Sequence, residues 1–185
     1  KQATEDITDI LAGFTDEVGL VTENIDRSVK RVQEQNDLIE DTKKKFDRIN
    51  NDDDVDGILL LRPLPKHLDE KAIELKINPR KDLDGTSPMN LAKVFAGDDT
   101  GYAPCTAEAV IEMLDFAGVD LTGKKVTVVG RSLVIGKPVS MLLMKKNATV
   151  TVCHTKTVDM AGTCKAADVV VAAAGVAKMV KADYI

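Results

Sequence analysis

The segment 124–138 constrains the fold of this chain more than any other part of the sequence. It predicts an apolar strand that leads into a loop bounded by Gly130 and Gly136, followed by a helix. This order is typical of a phosphate site, because backbone N–H groups at a helix N-terminus point at the anion and glycines let it approach. Arg131 and Ser132 lie inside the loop, where the phosphate of a nucleotide would lie.

Composition excludes several classes of function. The 185 residues carry a net charge of −5 and show no basic patch, so nucleic acid is not an expected partner. The sequence has no apolar run of the ~20 residues that a membrane span needs, so no membrane partner is expected. Three cysteines without paired spacing argue against a disulfide framework or a zinc site. We expect a cytoplasmic protein with reduced thiols and no metal.

Residues 1–50 differ from the rest of the chain, since they contain no Pro and only two Gly. Steps of four and three residues trace a stripe in which ten of thirteen positions are apolar: Ile7, Leu11, Phe14, Val18, Val21, Ile25, Ser28, Val32, Gln35, Ile39, Thr42, Phe46 and Ile49. A sustained 3.5-residue period is typical of a coiled coil, and the alternative is a long amphipathic helix packed on its own domain. A coiled coil would make the protein a homodimer.

Two stretches of this segment, 25–36 and 41–46, resemble the cytoplasmic signalling coiled coil of methyl-accepting chemotaxis proteins. The resemblance implies an alternative function, in which the chain is a signalling or scaffold protein whose working part is the coiled coil.

Beyond the acidic run 50–54, strand, loop and helix patterns alternate. An apolar run over 55–61 opens this part, and Asn78 to Asn90 is predicted to be loop. Helices are predicted over 70–76 with Asp69 as N-cap, over 107–117 with Thr106 as N-cap, over 138–146 and over 159–166; strands are predicted over 124–129, 148–153 and 168–174. The alternation indicates a parallel sheet covered on both faces, in a βαβαβ arrangement.

The predicted fold class is therefore α/β. A Rossmann-like parallel sheet domain is expected over 119–185, and a partial α/β substrate domain over 51–118. A long coiled-coil-like helical segment over 1–50 precedes both domains.

The end of the second strand of this arrangement bears on cofactor choice. NAD-binding domains place Asp or Glu there to hold the ribose 2′-hydroxyl, whereas this strand leads into His154-Thr155-Lys156-Thr157. Hydroxyls and cations suit a 2′-phosphate, which Arg131 is placed to bind, so the sequence favours NADP. The alternative is that His154 and Lys156 only cap a strand end in solvent.

Two further features lie between the linker and this domain. The loop 78–85 contains two acids, two bases, a Pro and a Gly, and is either a solvated turn or a site where a carboxylate accepts N–H bonds from an amino-heterocycle. Cys105 opens a predicted helix, where the thiol pKa would be lowered, although a buried, small apolar role is the favoured interpretation.

These motifs together resemble the methylenetetrahydrofolate dehydrogenase/cyclohydrolase (bifunctional FolD) family over about 55–185. The resembling segments are 55–59, Pro63-Leu64-Pro65, 79–85 with Asn90, Pro104-Cys105-Thr106, 130–138 and 148–154.

The resemblance implies NADP-dependent oxidation of 5,10-methylenetetrahydrofolate to 5,10-methenyltetrahydrofolate, followed by hydrolysis to 10-formyltetrahydrofolate. It implies that Asp84 is the catalytic and pterin-binding residue. The substrate-binding set is Asp84, Leu61, Pro63, Leu64 and Pro65, and the cofactor-binding set is Gly130, Arg131, Ser132, Gly136, Pro138, His154, Thr155 and Gly175.

Two departures from the family bear on activity, and the first concerns the hydrolysis step. Leu61 stands where the family has a Gln that supports a catalytic Lys, and residues 1–50 contain no Tyr for the family's Tyr and Lys pair. The remaining alternative is a nucleotide-binding module without folate chemistry.

Overall fold

A computed structural model describes the backbone of residues 2–65 and 68–185, and the side chains of 13–15, 17–65 and 68–185. The described residues form two compact units, with the boundary between Asn51 and Asp52. The division predicted at 118/119 stays a prediction.

The first unit is a single helix, α1, which runs without interruption over Gln2–Asn51. Ion pairs spaced four residues apart stabilise its surface, such as Arg27 with Glu23 at 2.7 Å. The apolar side chains of the stripe between positions 14 and 32 are 47–65% exposed. Stripe positions Ile7 and Leu11 lie outside the described side chains.

The second unit contains five helices, three strands and a short 3₁₀ helix among its described residues. In chain order these are α2 Glu70–Glu74, α3 Pro88–Ala96, α4 Cys105–Phe116, β1 Lys125–Val129, α5 Gly136–Lys145, β2 Thr149–Cys153, α6 Met160–Lys165, β3 Val169–Ala172 and the 3₁₀ helix Ala182–Tyr184.

The three strands form a parallel sheet with the order β2-β1-β3. Val128 in β1 pairs with Val152 on one side and Val171 on the other. The chain therefore adds β2 on one side of β1 and β3 on the other, which makes the carboxyl end of β1 a topological switch point. Such points are where open α/β sheets bind ligands. The predicted parallel βαβαβ arrangement is confirmed.

Both faces of the sheet are covered, as predicted. Val126 and Val128 pack with Val139 and Leu143 of α5 on one face, together with residues of α4. On the other face a second cluster contains Val129, Cys153 and Cys164, with Met179 and Tyr184 at its border. Alternate residues of β1 thus point into two apolar layers, which fixes the direction in which the strand ends project.

Three local predictions are wrong. The loop expected to reach Asn90 ends earlier, because Ser87 caps α3 by accepting from the Asn90 N–H and Pro88 opens the helix. The run 55–61 forms an isolated bridge between Ile58 and Asp82 instead of a strand. Thr106 is not the N-cap of α4, because the helix begins at Cys105 and Pro104 is its N-cap. Asp69 does cap α2, accepting from the Ala72 N–H at 3.2 Å.

Candidate active site

The loop 130–136, called the glycine loop here, lies at the carboxyl end of β1. Gly130 has φ +131°, and a Cβ there would overlap the carbonyl of Ala173 after β3. A Cβ at Gly136 would overlap the carbonyl oxygen of Gly130, so the loop closes tightly on itself. Both glycines are therefore required by close backbone approach. Gly136 and Pro138 are buried at the start of α5, and their predicted role in cofactor binding stays a prediction.

Ser132 organises the first turn of α5 from inside the glycine loop. Its Oγ accepts from the Ile135 N–H at 3.2 Å, and its carbonyl accepts from the Lys137 N–H at 2.9 Å. These helix-terminal N–H groups were expected to face an anion, and instead Ser132 satisfies them. Arg131 and Ser132 are exposed in the loop, and the predicted role of Arg131 in binding an anion stays a prediction.

The ends of β2 and β3 lie beside the glycine loop. The Gly130 N–H donates to the carbonyl of Cys153 at 2.9 Å, and the Ala173 N–H donates to the carbonyl of Val129 at 2.9 Å. The residues that follow β2 and β3, including His154 and Thr155, therefore occupy the same edge of the sheet as the glycine loop. Gly175 lies three residues beyond β3 and is exposed.

His154 is held by the turn that follows β2. Its ring Nδ1 accepts from the Lys156 backbone N–H at 3.1 Å, and the His154 backbone N–H donates to Thr157 Oγ1 at 2.8 Å. Thr155 and Lys156 are exposed beside it. The turn presents a hydroxyl and a cation to solvent, with no carboxylate among residues 154–157.

A cavity of about 590 Å³ lies between the predicted substrate residues and the glycine loop. Its lining residues are Leu59, Leu60, Leu61, Arg62, Pro63, Glu70, Asp84, Cys105 and Val134. The structure thus brings together Asp84, Leu61 and Pro63, whereas Leu64 and Pro65 are not part of the lining. Val134 belongs to the glycine loop, so the cavity reaches that loop, although none of the predicted cofactor residues lines it.

Asp84 is held from two sides. Its Oδ1 accepts from the Cys105 N–H at 3.2 Å, and its Oδ2 lies 3.3 Å from Arg62 Nη2. The first contact supplies the capping interaction at the N-terminus of α4 that Thr106 was expected to provide, from a loop distant in sequence.

Cys105 is exposed, which makes the buried interpretation wrong. Its Sγ donates to the carbonyl of Leu83 at 3.2 Å. Local burial of the sulfur, and then the hydrogen bond and charge of Asp84, raise the pKa of the Cys105 thiol. The thiol is therefore not activated by its position at the start of α4.

A buried carboxylate fixes the loop that presents Asp84. Asp82 is 1% exposed, and its oxygens accept from the Thr86 N–H at 3.1 Å, the Ser87 N–H at 2.7 Å and Asn90 Nδ2 at 3.0 Å. Burial acts to raise the pKa of Asp82, but the donors Ser87, Asn90 and Thr86 hold that pKa below its ordinary value. The sequence motif contained Asp82, but nothing in it distinguished this structural acid from Asp84.

Neither a metal cluster nor a membrane span is found in the part of the chain that the structure describes. No group of three or more His, Cys, Asp or Glu side chains there is placed to hold a metal ion. No described helix is long and apolar enough to cross a membrane.

The fold and the site define a class: an α/β protein with a dinucleotide-type glycine loop beside a cavity that contains Asp84 and Arg62. Two domain models of one enzyme family match the chain. The tetrahydrofolate dehydrogenase/cyclohydrolase catalytic domain matches residues 15–84, and the NAD(P)-binding domain of the same family matches residues 104–185. The chain belongs to the tetrahydrofolate dehydrogenase/cyclohydrolase family, which confirms the family predicted from the motifs.

Curated relatives show the same relationship. The chain is 51% identical over 142 residues to the bifunctional protein FolD of Clostridium kluyveri, covering 77% of this chain and 50% of the relative. It is 49% identical over 168 residues to that of Clostridioides difficile, covering 91% of this chain and 56% of the relative. The chain thus spans about half the length of the curated relatives it matches.

Solved structures of enzymes have folds similar to that of this chain. The FolD enzyme from Campylobacter jejuni matches with a TM-score of 0.76 and 35% identity, over 82% of this chain and 52% of that one. The Trypanosoma brucei enzyme, solved with NADP cofactor and inhibitor, matches with a TM-score of 0.69 and 39% identity, over 74% of this chain and 47% of that one.

The family match begins earlier than the motifs indicated. It was expected from about residue 55, but the catalytic-domain model starts at residue 15, inside α1. These comparisons do not support the chemotaxis-receptor resemblance of the first segment.

Proposed function

We propose that this chain is part of an NADP-dependent methylenetetrahydrofolate dehydrogenase of one-carbon metabolism. The observation that carries the proposal is the cavity in which Asp84, Leu61 and Pro63 of the substrate side face Val134 of the glycine loop. A dehydrogenase needs its substrate and its nicotinamide in one space, because hydride transfer requires the reacting atoms to approach within about 3.5 Å.

The described residues fit NADP. The close approach of Gly130 to Ala173 and of Gly136 to Gly130 gives the glycine loop the tight turn that dinucleotide sites use. Arg131, Ser132 and Thr155 are exposed at this edge and suit a 2′-phosphate. When bound, NADP supplies the hydride acceptor; the protein holds the folate and the dinucleotide in register.

Asp84 is proposed to accept N–H bonds from the pterin ring. Each carboxylate oxygen offers about two acceptor positions, and the structure uses one on each oxygen, for Cys105 and for Arg62. The carboxylate therefore keeps acceptor capacity for a ligand. Leu61 in the lining carries no hydrogen-bonding group, so the proposed function centres on the dehydrogenase step rather than on hydrolysis.

The test is NADPH formation from methylenetetrahydrofolate and NADP, measured by absorbance. Asp84→Ala is expected to lower turnover about a hundredfold, because the folate loses its orienting contact. Asp53→Ala, at an exposed acid of the linker, is the matched control and should leave turnover unchanged. Turnover that survives Asp84→Ala would contradict the role of Asp84.

A further inference from the structure

Arg62 lines the cavity, and the proposed function gives it no role of its own. It is the one cation among the described residues that line the cavity, and its side chain is only 18% exposed. A guanidinium buried to this degree needs partners, since an unpaired charge away from water is costly.

Its partners are carboxylates from two different segments. Arg62 Nη2 lies 3.3 Å from Asp84 Oδ2, and Arg62 Nη1 lies 3.1 Å from Glu74 Oε1 at the end of α2. Glu70 Oε1 is further away, at 3.9 Å. The planar fork of one guanidinium thus joins the loop of Asp84 to α2, a geometry that the single ammonium of a lysine does not reproduce.

The burial of these partners makes the contacts effective. The side chains of Glu74 and Asp84 are 20% and 24% exposed, so salt screens their attraction to Arg62 less than it screens a surface pair. With Cys105 N–H on the other oxygen, Asp84 is fixed in both position and plane. A carboxylate that must accept two N–H bonds from one flat ring depends on that plane.

We propose that Arg62 is a positioning residue: anchored by Glu74, it sets the orientation in which Asp84 receives the folate ring. This inference rests on the proposed function, in which Asp84 binds that ring. Arg62 itself acts through Asp84, and Glu74 acts through Arg62.

Calorimetric titration of the full chain with tetrahydrofolate, and separately with NADP, tests the proposal. Arg62→Leu is expected to weaken tetrahydrofolate binding about tenfold, as expected for the loss of one charged hydrogen bond. Arg62→Lys should restore part of the affinity, and Glu74→Gln should cause a smaller loss because Asp84 keeps its cation. NADP affinity should be unchanged in all three variants, which a general loss of structure would not allow.

The matched control is Arg80→Leu, at an exposed arginine of the same loop region that lies outside the cavity lining. Equal tetrahydrofolate affinities for the Arg62→Leu and Arg80→Leu variants would overturn the proposal. If Arg62→Leu does not fold, the tetrahydrofolate affinities of the Arg62→Lys and Glu74→Gln variants are compared with that of Arg80→Leu instead. Equal affinities would again overturn the proposal.

Hydrogen exchange at the Cys105 amide separates this proposal from the proposed function, because that amide donates to Asp84 whether or not folate binds. If the unmodified chain binds no tetrahydrofolate, the proposed function fails. The positioning of Asp84 is then judged by exchange alone. Faster exchange in the Arg62→Leu variant than in the Arg80→Leu variant supports the positioning role, and equal rates overturn it.

Discussion

Among single residues, two aspartates two positions apart in one loop have different roles. Asp82 is buried and takes its hydrogen bonds from its own loop and from Asn90, whereas Asp84 is partly exposed and faces a cavity. The sequence shows both as acids in one polar loop. Their separate environments arise from contacts with α3, α4 and Arg62, which no local pattern encodes.

Asp82→Asn is expected to lower the free energy of unfolding by about 2–3 kcal/mol, because the amide cannot accept from all of these buried donors. Chemical denaturation measures the change. Asp53→Asn, at an exposed acid, is the control and should have little effect.

The effect of Asp82 should depend on pH in a defined direction. Since the pKa of Asp82 is held below its ordinary value in the folded state, the ionised network contributes its full stability above about pH 4. That contribution is lost as pH falls through the folded pKa. The difference in stability between the wild type and the Asp82→Asn variant should therefore shrink below about pH 4; a difference independent of pH would contradict the account.

Asp84 should also control the reactivity of the Cys105 thiol. Burial and the neighbouring Asp84 raise the thiol pKa, so Asp84→Asn lowers that pKa and increases the thiolate fraction at pH 8. Alkylation by iodoacetamide, followed by mass spectrometry, should be faster in the variant. Cys153 and Cys164 are 0% and 1% exposed and serve as internal controls. An unchanged alkylation rate at Cys105 would contradict the effect of Asp84 on the pKa of this thiol.

At the scale of elements, the strands and helices around the glycine loop could be predicted because their signals are local. Apolar runs mark β1, β2 and β3. The start of α4 could not be predicted in the same way, since its cap is Asp84, a residue 21 positions away. The Arg62 contacts with Glu74 and Asp84 were missed for the same reason, although a lone cation at the end of the apolar run 55–61 was a signal.

Gly136→Ala is expected to weaken NADP binding by about tenfold or more, because the added Cβ overlaps the Gly130 carbonyl and opens the glycine loop. Calorimetry measures this loss. Gly19→Ala is the control, since nothing lies within 4 Å of a Cβ at that position in α1. Equal NADP affinities for the two variants would contradict the tight geometry of the loop.

For the whole molecule, the fold of the α/β unit is established, whereas the association of α1 with a second chain is a proposal. The parallel sheet and its family are established by the fold and by the two family models. The continuous helix was predicted from its periodicity, but association through its stripe depends on a second chain and stays a proposal. The exposed valines and isoleucine between positions 18 and 32 support that proposal.

Two valines of α1 test whether the protein is a homodimer. Val32 lies on the stripe and Val29 lies outside it, and they are 55% and 62% exposed. Analytical ultracentrifugation should find a dimer for the wild type and for Val29→Glu, and a monomer for Val32→Glu, because a charge at an apolar coiled-coil position opposes association. A monomeric wild type at tens of micromolar would exclude the dimer at that concentration.

In the proposed function, the edge of the sheet formed by the glycine loop and residues 154–157 holds NADP beside the cavity of Asp84. Calorimetric titration of the chain with NADP, with NAD as the control, tests it most directly. NADP is expected to bind about tenfold more tightly than NAD, or better, since Arg131 and the hydroxyls at this edge suit a 2′-phosphate. No heat with either dinucleotide, or equal affinities for the two, would contradict it.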